Sequence, residues 1–205
     1  MKTTLRLLPL LALLIVNPLP AQGDAAPADR EVRAKKATEQ RLAYAASAEY
    51  NPYDTKSRDC QKTAAEFLDK KEFAQAIAET QKGLALNKYD IDLLMILASA
   101  YRGSGDIPNA DKTREQWMSL VDSILGSGSG RDFATAFQVI SVAEEYAVLR
   151  VLGLQVTGQS LRENGGSEFD IMQVKNPRSG ADITLYFNVD LPKKWLNRKL
   201  SAPAK

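Results

Sequence analysis

A self-match at an offset of 34 residues constrains this chain most. Ala64, Phe67, Phe73, Ala76 and Leu86 return as Ala98, Tyr101, Ile107, Ala110 and Leu120. Small residues recur as small and large apolar residues as large apolar. A period of this length belongs to stacked helix–turn–helix units, because no single unit can bury its own apolar face. Stacks of this kind bind other proteins or peptides. The repeat therefore sets an architecture and a class of role, without a partner or a reaction.

The spacing predicts helices over 56–70, 72–86, 90–102 and 108–125. Asp69-Lys70-Lys71 and Ser104-Gly105-Asp106 fall at equivalent places and form the turns inside each unit. Gly105 suits the left-handed conformation at a helix end. Ala64, Ala76, Ala98 and Ala110 allow close helix approach, with Phe67 and Tyr101 filling space beside them. Two units are fewer than the roughly three that make such a stack stable alone. Flanking segments must cover its ends, or an exposed terminal unit pairs with a second copy, which makes a homodimer an expected partner.

Before the repeats, Lys2 and Arg6 precede an apolar run over 7–16 and then Asn17-Pro18-Leu19-Pro20-Ala21. This is the layout of a signal peptide at 1–21, cleaved after Ala21, with Gly23 as the second choice. The run is about half the roughly 20 residues of a membrane span, so no membrane span is expected. Export is expected, to the periplasm first and to the medium second. Of 27 Lys+Arg and 25 Asp+Glu, losing Lys2 and Arg6 leaves 25 against 25. A near-neutral chain of about 184 residues offers no electrostatic argument for nucleic acid. Residues 22–54 read as a linker (22–29), a helix rich in good helix formers (30–49) and a turn at Tyr50-Asn51-Pro52-Tyr53-Asp54.

After the repeats, Gly126-Ser127-Gly128-Ser129-Gly130 reads as a hinge, or as a tight joint, between halves. A strand follows at 136–140. Ser141-Val142-Ala143-Glu144 is a capping box opening a helix with Val142, Tyr146, Leu149 and Leu152 on one face. The period then changes to two, giving strands over 154–162, 169–175 and 182–190 joined by short turns. In the last, Ile183, Leu185, Phe187 and Val189 face in, and Tyr186 faces out as a candidate contact with the helical half. Pro192 opens a final helix carrying Trp195, Leu196 and Leu200.

The helical pairs at 57–125 resemble tetratricopeptide repeats. The small position of the first helix falls on Ala64 and Ala98, the aromatic on Phe67 and Tyr101, and the key alanine on Ala76 and Ala110. Cys60 and Leu94 stand where that pattern has Trp, and bulky Trp117 stands at a small position held by Gly83 in the first copy. The chain is also similar to an exported bacterial family catalogued as domain of unknown function 4919. The residues behind that likeness are Tyr50-Asn51-Pro52-Tyr53-Asp54, the Gly126–Gly130 run with 135–140, Glu144-Glu145-Tyr146 and Leu185-Tyr186-Phe187-Asn188-Val189. The resemblance implies export and a two-part layout, and no activity. The expected fold is α+β: a tetratricopeptide-like array of two repeats and four helices (55–125), then a small antiparallel sheet of three to four strands with one or two helices (126–205).

Composition narrows the chemistry. There is no histidine, which removes Ser-His-Asp and Cys-His catalysis. The single cysteine, Cys60, makes no internal disulfide and reads as a buried free thiol. The 126–132 stretch lacks the Gly-Lys-Ser/Thr of a phosphate loop. Asp54, Asp132 and Asp170 lack the dense spacing of a calcium loop. No cofactor or metal is expected. Tyr44, Tyr50, Tyr53 and Tyr101 read as core or as pins holding the N-terminal segment on the first repeat helix, ahead of a peptide-binding face.

The expected function is therefore a non-enzymatic envelope module that binds a protein or peptide between the first helices of the two repeats. Gln61, Glu66 and Lys70 from one, and Asp92, Met95 and Ser99 from the other, are the candidate contacts. The alternative is a carboxylate-dependent hydrolase or small-ligand-binding protein using Glu145 and Asp170 in the C-terminal unit. Glu144 and Glu145 diverge by about 100 degrees on a helix and do not face one another. Glu144 is expected to serve the cap, and Glu145 to pair with a loop cation such as Arg131.

Overall fold

The computed structural model describes residues 27–201. The expected signal peptide and most of the expected linker lie outside the described residues. Seven helices and four strands follow in the order α1 (Pro27–Ala45), α2 (Thr55–Asp69), α3 (Phe73–Leu86), α4 (Ile91–Ser104), α5 (Ile107–Leu125), β1 (Phe137–Gln138), α6 (Val142–Val151), β2 (Gln155–Asn164), β3 (Ser167–Lys175), β4 (Asp182–Asn188) and α7 (Asp190–Ser201). This is the expected α+β arrangement of hairpin helices followed by a small sheet.

Helix starts follow side-chain caps. Asp54, Asp90 and Asp106 accept the amides of Ser57, Leu93 and Asn109, satisfying N–H groups left free in the first turn. Inside each hairpin the same C-terminal motif appears twice. The Glu72 amide reaches the Phe67 carbonyl at 2.9 Å, and the Asp106 amide reaches the Tyr101 carbonyl at 2.9 Å. Both motifs need a left-handed residue, Gly105 at φ 87° and Lys71 at φ 60°. A lysine there carries a Cβ clash worth about 1–2 kcal/mol. Lys71→Gly therefore raises stability by roughly 0.5–1 kcal/mol, after the larger backbone entropy of glycine is deducted. Urea denaturation checks this; an unchanged or lower midpoint contradicts it.

The alanines at the helix crossings are buried, Ala64, Ala76 and Ala110 completely. Phe67 and Tyr101 are only half-buried. Gly83 lies so close to α4 that a Cβ on it would meet a Leu93 methyl at 2.6 Å. At its counterpart in the second hairpin, Trp117 packs against the main core instead. A bulky side chain fits there because no third hairpin stacks on α5.

The ends of the array are covered unequally. α1 packs on α5 and not on the first hairpin, so the N-terminal segment joins the far end of the stack. One core runs through Ile91, Leu94, Leu120 and Ile124 of the helices and Phe137, Val148, Met172, Val174 and Phe187 of the C-terminal part. A shared core argues for a fixed joint at 126–136, not a hinge. The loop itself is tightly bonded: the Gly130 amide donates to the Thr135 carbonyl at 2.7 Å, and the Tyr186 amide to the Gly130 carbonyl at 2.9 Å. At Gly130, φ is 67° and a Cβ would lie 2.2 Å from the Phe137 ring.

The sheet order is β1-β4-β3-β2. β2, β3 and β4 pair antiparallel, as their short turns require. β1 joins β4 in parallel through Phe137–Phe187 and Gln138–Asn188, so the sheet is mixed. Leu185, Phe187 and Val189 face the core as expected, whereas Ile183, second residue of β4 and opposite Val174, is 36 % exposed. Tyr186 meets Phe133 of the loop, which also packs on Phe169, and not the helical half. On α6 the buried residues are Glu144, Glu145, Ala147, Val148 and Leu149. Leu152, expected on the inner face, is exposed beyond the end of that helix.

Candidate functional site

Two acidic centres sit at the start of α6, one on each side of it, and they differ in how their charge is handled. Ser141 caps the helix by accepting the Glu144 amide at 3.3 Å. The other half of the expected box is different. The Glu144 carboxylate accepts the Ile140 amide at 2.8 Å and pairs with Arg41 of α1. Arg41 is 2 % exposed and fully engaged. Its Nε and one terminal nitrogen hold Glu144 at 2.8 and 2.5 Å, while its other contacts are the Ser123 hydroxyl and the Gln138 carbonyl. A buried guanidinium and carboxylate so completely hydrogen-bonded form an internal clamp between α1, α5, β1 and α6.

Glu145, on the adjacent side of α6, is fully buried with no hydrogen-bond donor reaching either carboxyl oxygen. Its neighbour is Asp170 of β3. Arg131, the partner expected for Glu145, is an exposed loop residue instead. Burial, and next the Asp170 charge, push the Glu145 carboxyl up to about 9. A protonated Glu145 carries an O–H with Asp170 as its acceptor, which gives one of its two carboxyl oxygens a partner. Burial also raises Asp170, while the Gln159 and Glu145 hydrogen bonds and the Lys193 charge hold it down. The Gln159 amide donates to Asp170 at 2.8 Å, and the Tyr146 hydroxyl donates to the Gln159 carbonyl oxygen at 2.8 Å. Tyr53 stands over the pair. Burial and then the charges of Asp170 and Glu145 raise its phenol, and its ring packs at a tilt on Trp195 of α7, with centroids 5.8 Å apart.

Above this layer opens a cleft of about 280 Å³ between α2, the 87–90 turn and α6. Asn51, Tyr53, Arg58, Gln61 and Tyr146 are among its walls. The capped starts of α2, α4 and α6 all border it, at Asp54, Asp90 and Ser141. Neither Glu145 nor Asp170 reaches its surface.

The six candidate contacts do not line one groove. Gln61 borders this cleft, and Glu66 and Lys70 are exposed farther along α2. Asp92 is paired with Arg150 of α6. Met95 and Ser99 border a second hollow of about 160 Å³ with Trp117 and Arg102. The groove expected between α2 and α4 is thus partly occupied by the C-terminal unit. Tyr50 and Tyr53 also bind that unit and not α2: the Tyr50 hydroxyl donates to the Ile140 carbonyl at 2.5 Å. Tyr44 packs on Tyr50 and Tyr89, and Tyr101 lies half-exposed beside Gln81. Asp54, Asp132 and Asp170 each have a separate local role, in a cap, a loop turn and the buried pair. Among the described residues no cluster of three or more acidic or cysteine side chains is placed to hold a metal. Cys60 is partly exposed, and burial with the Glu79 contact pushes its thiol up, away from thiolate reactivity.

Arg41 is the residue the sequence did not single out. Its only trace was a charge at the buried phase of a helix otherwise poor in apolar residues.

Fold and site define a helical hairpin array joined through a shared core to a small α+β unit. The chain belongs to the family described as Domain of unknown function (DUF4919), whose model matches residues 28–198. No curated protein and no solved structure matches it. No helix among the described residues is long and apolar enough to cross a membrane.

Proposed function

We propose that this chain is an exported, non-enzymatic interaction module of the cell envelope, and that it takes an extended segment of a partner protein in the cleft beside Arg58 and Gln61. The observation behind this reading is the cleft itself. Its walls offer hydrogen-bonding side chains at Asn51, Arg58 and Gln61 beside the aromatic faces of Tyr53 and Tyr146. An extended chain presents backbone N–H and C=O groups and alternating side chains, and such a mixed lining serves both. The basic start and apolar run before Ala21 support export.

The carboxylate-dependent hydrolase is favoured less. Its two residues do meet, but a substrate atom has no path to Glu145, which is fully buried. The pair fits a proton held inside the fold better than a proton passed to a ligand.

A photo-crosslinking amino acid placed at Arg58 or Gln61 in growing cells tests the reading. The expected result is the same adduct from both positions and none from Lys35 on the exposed face of α1. Absence of an adduct from both, or equal labelling from all three, overturns it. The mature chain is expected in the periplasmic fraction, beginning at Gln22.

A further inference from the structure

The sheet has an open edge. β2 lies last in the order β1-β4-β3-β2, so only β3 pairs with it. All of its residues except Gly158 are exposed. Among the described residues no backbone hydrogen bond reaches its outer side. Natural edge strands are guarded by Pro, Lys, short length or strong bulging. β2 runs ten residues without Pro or Lys, with one irregularity between Val156 and Gly158, and its Arg162 and Glu163 charges cancel. A row of outward N–H and C=O groups of this length is a template for another strand.

The side chains point to the occupant. The irregularity changes the alternation, so that Val156 and Leu161 share a face, opposite Val174 and Asp170 of β3. They are 38 % and 48 % exposed. When the strand is laid antiparallel against itself about a two-fold axis, Val156 of each copy can stand opposite Leu161 of the other. With Thr157 as the extra residue of the irregularity, the same register sets Gln155 against Arg162, Gly158 against Ser160 and Gln159 against itself, so no charge faces a like charge. We propose that two copies of this chain associate through β2 in this register, joining their sheets edge to edge. The contact is isologous and closed. It removes both open edges and covers the apolar side chains each copy leaves in water.

Sedimentation equilibrium of the purified chain tests this, with circular dichroism establishing that each variant is folded. The wild-type chain is expected to form dimers. Val156→Glu and Leu161→Lys each disturb two cross-strand pairs per dimer and weaken association about tenfold. An equimolar mixture of the two variants regains the dimer. The carboxylate introduced in one then faces the ammonium introduced in the other, while Leu161 of the first still meets Val156 of the second. A chain that stays monomeric up to roughly 1 mM, where binding is worth only about 4 kcal/mol, overturns the proposal. So does a dimer indifferent to both substitutions, or a mixture no tighter than its components.

Discussion

Replacing Arg41 by alanine lowers stability by about 3–5 kcal/mol, a large part of the net stability of a domain this size. Three costs coincide. Glu144 is left at 4 % exposure with only the Ile140 amide to hold its carboxyl group, the Ser123 hydroxyl and the Gln138 carbonyl lose a donor, and the side chain leaves a void. The loss falls on the junction of α1, α5, β1 and α6. Arg41→Met combined with Glu144→Leu removes both charges together and recovers much of the deficit, because the severe cost lies in orphaning one partner. Urea denaturation of the two single variants and the double variant separates these effects. A single variant within about 1 kcal/mol of wild type shows that the clamp carries little.

Replacing Glu145 by glutamine changes the pH dependence of stability more than its value in acid. The native carboxyl titrates near 9 and the unfolded one near its ordinary 4.5. Between those values the folded chain holds a proton that the unfolded chain has released. Stability therefore falls as pH rises through this window, with a limiting slope of about 1.4 kcal/mol per unit, and levels off above it. Glutamine is neutral at every pH and its amide still donates to Asp170. The variant matches wild type near pH 5 and exceeds it by roughly 2 kcal/mol or more at pH 8. Parallel melting profiles for the two proteins from pH 5 to 9 exclude a proton held at Glu145.

The hairpin array was legible because its signals are local. Asp54, Asp90, Asp106 and Ser141 each satisfy amides within three residues of themselves. The 34-residue offset carries over even to the backbone, where Lys71 takes the left-handed position that Gly105 takes one repeat later. The strands of the C-terminal sheet were legible from their alternation, with Ile183 misplaced only because alternation states a face and not whether anything covers it.

The site was legible in part. Glu145 and Asp170 were singled out as one acidic alternative, yet Glu145 was assigned a loop cation. Nothing near it in sequence indicates that β3 would bring a second carboxyl beside it in place of Arg131. The Arg41–Glu144 clamp joins residues 103 apart. The contacts of Tyr50 with Ile140 and of Tyr53 with Trp195 span the chain similarly. Such pairs leave no periodic trace, since their geometry comes from how whole elements pack.

By itself, then, the sequence determined two helical hairpins, their caps and turns, and an antiparallel run of strands behind them. These follow from interactions within a few residues or one repeat. Only the tertiary structure decided that α1 closes the far end of the array, that the C-terminal unit fills part of the expected groove, and that β2 is left as an open edge. Those outcomes depend on which apolar faces bury most against each other once all the elements exist, a competition among surfaces distant in sequence.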